Sequence, residues 1–319
     1  MRERNVRSLA RRCAAITALV ATLGMAATEQ AAAQAYWRSG MSCYYGNMLP
    51  ILESWRGTPF SALHGWAPQD TWNNMLTFFN TSVGSEFAAR RGNGRVLAIS
   101  TPLLTNESRG QFAQCAAGAF DQYYRGIAQR LVWRGATDAI LRLGWEANGT
   151  WFPWSINGNY DGFKACFRRA VQVMRSVVPN LQIEWAVNRD PWNRRYQNLA
   201  ANAYPGDDVV NVIGLSYYDN WPAATSEAVW NSSFKPELDF WANFARSRGK
   251  KLGFGEWGLG YKSGGGFDNP LYIQKMRDFF AQNASLIAYE AYFNCEGSNF
   301  LLYPEWHNPR AAATYKNLF

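Results

Sequence analysis

Histidine is scarce in this chain. Only His64 and His307 occur among the 319 residues, so a histidine-based metal centre or nucleophilic triad is poorly supplied. Charged residues make up 18% and apolar residues 48%, which excludes a disordered or fibrous chain and leaves ample material for a core. Aromatic residues are plentiful instead, and the 15 Trp and 16 Tyr indicate a groove lined with flat apolar faces.

Apolar runs long enough to cross a membrane, about 20 residues, are also missing. The run at residues 13–28 is shorter; it follows the basic residues 1–12 and precedes an A-x-A motif at residues 33–35. This order is typical of a secretory signal peptide cleaved after Ala35, with an N-terminal membrane anchor as the alternative. Arg11-Arg12 is a weak indication of twin-arginine export. We therefore predict a signal peptide at residues 1–35 and one folded domain at residues 36–319.

The net charge gives no indication of a nucleic-acid partner. The predicted leader carries five of the 32 Lys and Arg residues and two of the 24 Asp and Glu residues, so the net charge falls from +8 to +5 in a mature chain of 284 residues. This charge is mild and spread along the chain. After cleavage we expect no membrane contact and a monomer in the periplasm or outside the cell.

Four cysteines remain in the mature chain: Cys43, Cys115, Cys166 and Cys295. An even number in an exported protein predicts disulfides, and their spacing is far too wide for a zinc knuckle. Buried free thiols are the alternative.

Short apolar runs alternate with longer stretches that have helical periodicity. Several runs are continuously apolar, as strands buried on both faces should be. Eight strands separated by helices predict a single-domain α/β fold, the (β/α)₈ TIM barrel. A doubly wound sheet is the rival, but it would need a glycine-rich phosphate loop after an early strand, and none is present. The predicted strands are Arg38–Cys43, Pro59–His64, Arg95–Ser100, Ala139–Glu146, Gln182–Val187, Val209–Tyr217, Lys251–Glu256 and Leu286–Phe293.

The barrel topology also selects one disulfide pairing out of three. Strand 8 pairs with strand 1 in a closed barrel, so Cys43 at the end of strand 1 should lie near Cys295 after strand 8. Cys115 and Cys166 lie near the starts of neighbouring helices. We therefore predict the pairs Cys43–Cys295 and Cys115–Cys166.

Two predicted strands each end in a glutamate at the carboxyl end, where the active sites of (β/α)₈ barrels lie. Glu146 ends strand 4 and Glu256 ends strand 7, each among apolar residues. Burying a carboxylate in such surroundings costs free energy, so we expect it to have a hydrogen-bonding partner or a function. Glycoside hydrolysis needs two of them: one protonated to serve the leaving oxygen, the other ionised to attack the anomeric carbon.

Four segments carry a resemblance to a known family. RLGWEANGTWFPW at residues 142–154 is similar to the acid/base signature of family 26 glycoside hydrolases, which are retaining (β/α)₈ enzymes. FGEWG at residues 254–258 resembles their nucleophile strand, VIGLSYYD at residues 212–219 their sixth strand, and EWAVN at residues 184–188 their fifth. Trp145 is a departure, because a histidine usually precedes the acid/base glutamate in that family. The departure leaves both carboxylates in place but puts mannan in doubt as the substrate.

The resemblance implies roles for individual residues. Glu146 would be the acid/base and Glu256 the nucleophile. An aromatic hydroxyl of the sixth strand would orient that nucleophile; since neighbours on a strand face opposite ways, only one of Tyr217 and Tyr218 can do so, and we favour Tyr217. Glu146 paired with Arg142, and Glu256 as a structural carboxylate, are the alternatives.

A further set of residues is predicted to contact substrate. Tryptophans in the loops after the strands can pack on the flat C–H faces of sugars. For three other residues a structural role is the alternative: Arg142 could form an ion pair, Asn148 could form a turn, and His64 could make a structural contact. The predicted substrate-binding residues are Arg142, Asn148, Trp151, Trp154, Trp221, Trp257, His64 and Tyr218. Trp66 and Trp192 belong to the same rim, whereas Trp55, Trp133 and Trp241 have helical spacing and are assigned to the core.

Together these features predict an exported retaining glycoside hydrolase that cleaves a β-linked polysaccharide or oligosaccharide. The two-carboxylate mechanism requires no metal and no organic cofactor. A glycan-binding barrel without strong catalysis and a transglycosylase are the alternatives. Mannan, β-1,3-xylan, mixed-linked glucan and an exopolysaccharide all remain open as substrates.

Overall fold

The computed structural model describes residues 37–319, apart from residues 45, 83–86, 88–90, 93, 191, 261–263 and 296–298. The predicted signal peptide, with its cleavage site after Ala35, lies outside the described residues. In the part that is described, no helix is both long enough and apolar enough to cross a membrane.

Eight parallel strands close into a barrel in sequence order, with β8 paired to β1. The (β/α)₈ prediction is therefore confirmed, and each predicted strand overlaps an observed one. The strands are β1 Arg38–Ser42, β2 Ala62–Trp66, β3 Val96–Thr101, β4 Ile140–Leu143, β5 Gln182–Asn188, β6 Val212–Tyr218, β7 Lys251–Gly258 and β8 Ile287–Tyr292.

Helices surround the barrel and cover the outer faces of its strands. Their buried residues recur at helical spacing, as in the helix Tyr160–Arg175, where Phe163, Phe167, Ala170 and Met174 face the core. The described helices are α1 Met48–Arg56, α2 Trp72–Ser82, α3 Phe112–Ala116, α4 Asp121–Trp133, α5 Tyr160–Arg175, α6 Arg195–Ala203, α7 Glu227–Val229, α8 Lys235–Ser247, α9 Pro270–Gln282 and α10 Pro309–Leu318.

Two of the tryptophans that were assigned to the core from their helical spacing test that assignment. Trp241 on α8 is fully buried, as predicted. Trp133 is 67% exposed, so its assignment to the core was wrong. It is the last residue of α4 and does not belong to the buried face of that helix, which ends at Leu131.

Strand β4 is shorter than predicted, and its early end shapes the barrel mouth. The strand stops at Leu143, and the chain then turns through Gly144 and Glu146, both with positive φ angles of 58° and 53°. Glycine adopts this conformation freely, but for glutamate it is strained. Glu146 is therefore carried by a fixed turn beyond the strand and not by the strand itself.

Strand β7 contains one extra residue relative to β6. Gly214 pairs with Gly253 and Ser216 pairs with Glu256, so an advance of three residues along β7 corresponds to an advance of two residues along β6. Such a β-bulge shifts the inward and outward alternation by one residue. Glu256 thereby faces the barrel interior like Gly253, and the next residue, Trp257, faces the surrounding helices.

Both predicted disulfides are present. Cys43 is bonded to Cys295 and Cys115 to Cys166, each with a Cα–Cα distance of 5.1 Å. The first joins the ends of β1 and β8 across the closure of the barrel, and the second joins α3 to α5. The pairing predicted from topology is thus confirmed.

Candidate functional site

A cavity of about 500 Å³ opens at the carboxyl ends of the strands. Both candidate glutamates line it, each with 6% of its surface exposed. Most of the remaining wall is apolar and aromatic, which is the composition of a typical small-molecule site. The lining residues are Cys43, Trp66, Ala67, Pro68, Gln69, Trp145, Glu146, Phe152, Glu256, Phe293 and Cys295.

Three donors hold the Glu256 carboxyl group. Trp66 Nε1 lies 3.0 Å and Arg142 Nη1 2.9 Å from Oε1, and the Tyr218 hydroxyl donates to Oε2 at 2.9 Å. Donors of this kind stabilise the ionised form and fix its orientation. Glu256 is therefore a positioned carboxylate that faces the cavity.

Glu146 lies in a different environment. Burial raises its pKa to about 8, and the negative charge of Glu256 adds to the rise, against weaker lowering by Ser216, Arg142 and Trp151. The Trp151 indole nitrogen donates to Glu146 Oε2 at 3.2 Å. At neutral pH the side chain is thus held mainly as the protonated acid, next to an ionised carboxylate.

Arg142 lies beneath the cavity, fully buried inside the barrel. Its Nε donates to Glu184 Oε1 at 2.8 Å while Nη1 reaches Glu256, and Nη2 donates to Ser216 Oγ at 3.1 Å. Burial would lower the pKa of Arg142, but the negative charges around it, Glu184 foremost, outweigh burial and raise it. The prediction that Arg142 binds substrate was wrong, because the guanidinium is enclosed by protein and orients Glu256 from below.

Glycines make room for this buried ion pair. A Cβ atom on Gly255 would lie 2.3 Å from Arg142 Nε, and one on Gly214 would lie 2.0 Å from Glu184 Oε1. The Tyr289 hydroxyl donates to Glu184 Oε2 at 2.6 Å, which satisfies the second oxygen. A buried ion pair needs such complete hydrogen bonding to offset its desolvation.

His64 belongs to the same inner layer and not to the cavity wall. Its side chain is 1% exposed, and burial together with the charge of Arg142 holds its pKa well below the ordinary value. Arg142 Nη1 lies 3.2 Å from Nε2, and because a guanidinium only donates, Nε2 accepts. The Nδ1–H then donates to Ser42 Oγ at 3.0 Å. The predicted substrate contact of His64 was wrong, since both ring nitrogens bond to protein groups.

The tyrosine that touches Glu256 is Tyr218, and the preference for Tyr217 was wrong. Tyr217 is fully buried on the outer side of β6, where its hydroxyl donates to the carbonyl of Phe234 at 3.0 Å. Tyr218 is the neighbour with the opposite orientation, so its hydroxyl reaches Glu256. Its contact with Glu256 makes it a positioning residue.

The aromatic rim divides into exposed and buried members. Trp154 is fully buried; its ring stacks on Phe152 and its Nε1 donates to the Trp145 carbonyl. Trp257 is also fully buried and donates to Glu290 on the outer side of the barrel. The substrate contacts predicted for Trp154 and Trp257 were wrong.

Two other tryptophans that were predicted to bind substrate are open to solvent. Trp151 is 52% exposed beside Glu146, and Trp221 is 48% exposed in the loop after β6. Their substrate contact remains a prediction. Asn148 instead links the turn after β4 to the end of β5, because its amide accepts from the backbone of Asn188 and donates to it, at 2.8 Å each. This geometry favours the turn-forming role over sugar binding.

Several residues of the site have no counterpart among the sequence predictions. Glu184 and Tyr289 complete the buried network, and Trp145, Phe152 and Phe293 line the cavity. Glu184 offered a signal, since it is a carboxylate inside a continuously apolar strand and such a charge requires a partner. In the described part of the chain, no group of three or more His, Cys, Asp or Glu side chains is arranged to hold a metal ion.

The fold and the site define a (β/α)₈ barrel with a two-carboxylate cleft. A family model described as glycosyl hydrolase family 26 matches residues 125–239, which include Glu146 but not Glu256. The chain resembles this family as a divergent member, as its sequence motifs predicted.

Individual relatives agree with this assignment. The chain is 27% identical over 188 residues to a mannan endo-1,4-beta-mannosidase of Bifidobacterium adolescentis, a match over 56% of this chain and 19% of that protein. It is 29% identical over 138 residues to a beta-1,3-xylanase of an Alcaligenes species, over 40% of this chain and 27% of that protein. The chain thus spans well under half the length of these relatives.

Solved structures share the fold. The catalytic domain of an endo-beta-1,4-mannanase from Bacillus sp. JAMB-750 superposes with a TM-score of 0.66 at 18% identity, covering 90% of this chain and 87% of that one. GH26C from Muricauda sp. MAR_2010_75 gives a TM-score of 0.64 at 16% identity, over 83% and 80% of the two chains.

Proposed function

We propose that this chain is an exported glycoside hydrolase that cleaves a β-linked polysaccharide or oligosaccharide with retention of anomeric configuration. One observation carries the proposal. Two glutamates share one cavity, and their surroundings differ in the way that the two carboxyl groups of a glycoside hydrolase require. Glu256 is held as a carboxylate by three donors, while burial and the charge of Glu256 keep Glu146 protonated at neutral pH.

In the first step a carboxylate oxygen of Glu256 attacks the anomeric carbon. The bond from that carbon to the glycosidic oxygen breaks, and Glu146 gives its proton to the departing oxygen. Arg142 and Tyr218 keep the attacking carboxylate in place, so little reorganisation is needed in the transition state. The products are a free sugar hydroxyl and a covalent glycosyl ester of Glu256.

In the second step Glu146, now ionised, takes a proton from water. The water oxygen attacks the anomeric carbon, the ester bond to Glu256 breaks, and the carboxylate is regenerated. Formation of the covalent intermediate removes the negative charge that Glu146 experiences from Glu256, since Glu256 is neutral while esterified. The pKa of Glu146 therefore falls when it must act as a base, and rises again afterwards.

Aromatic walls supply the binding surface for the sugar. Trp145 and Phe152 line one side of the cavity, and Trp66 and Phe293 line another. Such rings pack on the flat C–H faces of pyranoses, while the carboxylates and indole N–H groups meet the hydroxyls. Trp151, with 52% of its surface exposed beside Glu146, is the best placed ring for a neighbouring sugar unit.

The relatives suggest which glycans to test first. Their names indicate action on β-1,4-mannan and β-1,3-xylan, which share β-linked pyranose backbones. Trp145 occupies the position where family 26 usually has a histidine, so the contacts around Glu146 differ from those of the typical member. We therefore place β-1,3-xylan, mixed-linked glucan and exopolysaccharide beside mannan as candidate substrates.

The decisive experiment is a screen of purified residues 36–319 against these polysaccharides with reducing-end detection. We expect new reducing ends from at least one β-linked polymer, and NMR of the first product should show the β anomer. An α anomer as first product would indicate inversion. Glycan binding without new reducing ends would favour the binding-protein alternative, and longer products at high acceptor concentration would favour transglycosylation.

Two structural expectations belong to the same proposal. A retaining pair places its carboxyl groups about 5–5.5 Å apart, whereas an inverting pair needs about 6.5–9.5 Å, and we expect the shorter separation between Glu146 and Glu256. Export through a signal peptide at residues 1–35 is supported by the two disulfides, because such bonds persist in oxidising compartments. Mass spectrometry of the secreted protein should show Tyr36 as the first residue.

A further inference from the structure

Two of the three residues that donate to Glu256 pack against one aromatic ring. Phe293 packs edge-on against Trp66 and against Tyr218, with ring centroids 5.6 Å apart in each case. These are two of the three residues that donate to the Glu256 carboxyl group. Phe293 itself lines the cavity, at the end of β8. Its position therefore fixes both donors at once.

The backbone on either side of Phe293 is fastened. Its amide donates to the Trp257 carbonyl at 2.8 Å, and two residues further on Cys295 is bonded to Cys43. The paired register of β1 and β8 ends at Met41 and Tyr292, just before this disulfide. The bond thus continues the closure of the barrel beyond its last strand pair, at the level of the cavity.

Cys43, the other half of the disulfide, is also linked to Glu256 through a short series of contacts. Cys43 follows Ser42, whose hydroxyl pairs with Nδ1 of His64 at 3.0 Å. The His64 ring packs edge-on against Trp66 at 4.4 Å, and Trp66 donates to Glu256. Cys43–Cys295 therefore joins the two elements, the end of β1 and the end of β8, that enclose Trp66.

We propose that the Cys43–Cys295 disulfide and Phe293 form a clamp that positions the Glu256 carboxylate, so that this disulfide serves catalysis as well as stability. The proposal deepens the proposed function and rests on Glu256 being the nucleophile. Phe293 and the disulfide are positioning residues: they act through Trp66 and Tyr218. A loosened clamp leaves the fold intact but lets the two donors drift from the carboxylate, and misplacement of about 1 Å can lower a rate by about 100-fold.

The second disulfide provides a matched control. Cys115–Cys166 joins α3 to α5 and has no residue among those that line the cavity. The stabilisation from a disulfide grows only with the logarithm of the length of the loop that it closes. Removing the disulfide that closes 252 residues and removing the one that closes 51 residues should therefore lower the stability of the protein by similar amounts. C43S/C295S and C115S/C166S should therefore show similar falls in Tm and different effects at the site.

Kinetics on the polysaccharide that wild type cleaves give the first test. We expect C43S/C295S to lower kcat by about ten-fold at nearly constant KM, while C115S/C166S stays within about two-fold of wild type. Phe293→Leu should repeat the fall in kcat, and Phe293→Tyr, which keeps the ring, should restore it. Equal effects of the two disulfide variants, or a rise in KM alone in Phe293→Leu, would overturn the clamp.

A second measurement needs no substrate and so separates this proposal from the proposed function. In full-length mature protein with ¹⁵N-labelled tryptophan, hydrogen exchange at the Trp66 indole reports on its bond to Glu256. Each variant is measured at the same number of degrees below its own Tm. We expect exchange at the Trp66 indole to be about ten-fold faster in C43S/C295S than in C115S/C166S. Equal exchange rates would contradict the clamp whatever the activity, while an inactive wild type with unequal rates would contradict only the proposed function.

Discussion

The β4 side and the β7 side of the barrel mouth each carry one glutamate, and they hold it in opposite ways. Glu256 lies within a strand and receives hydrogen bonds from Arg142, Trp66 and Tyr218. Glu146 lies beyond the end of its strand at a positive φ angle of 53°, and its pKa is raised to about 8. Equal exposure therefore does not give equal surroundings, because three donors hold the Glu256 carboxyl group whereas burial and the charge of Glu256 raise the pKa of Glu146.

Strain at Glu146 agrees with a functional position. A non-glycine residue in the left-handed region costs on the order of 1 kcal/mol and persists only where the surroundings enforce it. Here the Glu146 amide donates to the Ala186 carbonyl at 3.0 Å, and its own carbonyl accepts from Gly149 at 2.9 Å. The turn thus holds the side chain over the cavity. Substitutions on the two sides of the mouth should accordingly have different effects.

The largest effect is expected on the β7 side. Glu256→Gln keeps the shape of the side chain but removes the nucleophile and its charge, so kcat should fall by about 10⁴-fold or more on every substrate. An activated aryl glycoside should not rescue it, because no attacking group remains. Full turnover of this variant on the substrate of wild type would show that Glu256 is a structural carboxylate.

Removal of the acid on the β4 side should be less severe and should depend on the leaving group. Glu146→Gln should slow polysaccharide cleavage by about 10²–10⁴-fold, the usual contribution of general acid–base catalysis. An aryl glycoside with a good leaving group needs no proton and should lose less. Added azide should partly restore turnover and give a β-glycosyl azide. If azide has no effect on either substrate, the acid/base role of Glu146 is wrong.

The next comparison lies within the sixth strand. Tyr218→Phe removes one donor to a charged oxygen, a bond worth about 1.5–3 kcal/mol, so kcat should fall by roughly 10–100-fold. Tyr217→Phe is the matched control, because its hydroxyl bonds to the Phe234 carbonyl behind the strand. It should leave kcat nearly unchanged and lower the free energy of unfolding by about 1 kcal/mol. Equal losses of kcat would show that neither hydroxyl acts specifically on Glu256.

The Tyr217 and Tyr218 pair also shows where sequence reasoning stops. The fold could be predicted because the strands are continuous apolar runs between helical stretches. Closure of the barrel then predicted the pair Cys43–Cys295, and the neighbouring helices predicted the pair Cys115–Cys166. The positions of Glu146 and Glu256 at the mouth followed from the same strand ends. Which side of the sheet each neighbour faces could not be predicted as well, because one bulge or one positive φ angle reverses it.

Trp257 and Arg142 illustrate this limit. The bulge in β7 turns Glu256 inward and thereby sends Trp257 to the outer face, although both residues sit at the predicted mouth. Arg142 reaches Glu184 and Glu256 only because Gly255 leaves the space for its guanidinium. Such complementarity between distant strands is a property of the folded barrel and not of any local pattern.

The aromatic rim gives a smaller effect that separates binding from folding. Trp151→Ala removes a half-exposed ring beside Glu146 and should weaken substrate binding by about 1–2 kcal/mol while the fold is retained. Trp154→Ala removes a fully buried ring and should instead destabilise the protein by about 3–5 kcal/mol. KM and chemical unfolding of the two variants check this. A loss of stability in Trp151→Ala that matches Trp154→Ala would assign Trp151 to the core.

The smallest effect is a change of stability with pH, and it tests the contrast between the two glutamates directly. The folded protein binds the Glu146 proton more tightly than the unfolded chain, since its pKa is about 8 in the fold and the ordinary value for glutamate is 4.5. The folded state therefore loses stability as pH rises from about 4.5 to about 8. Glu146→Gln removes this loss, so at pH 5.5 it should be more stable than wild type by about 1–2 kcal/mol, and at pH 4 it should show no such gain. Chemical unfolding of both proteins across this range measures the difference. The same raised pKa predicts that the activity of wild type declines above about pH 8, as the acid ionises. A stability advantage of Glu146→Gln that is constant with pH would show that Glu146 does not carry the raised pKa.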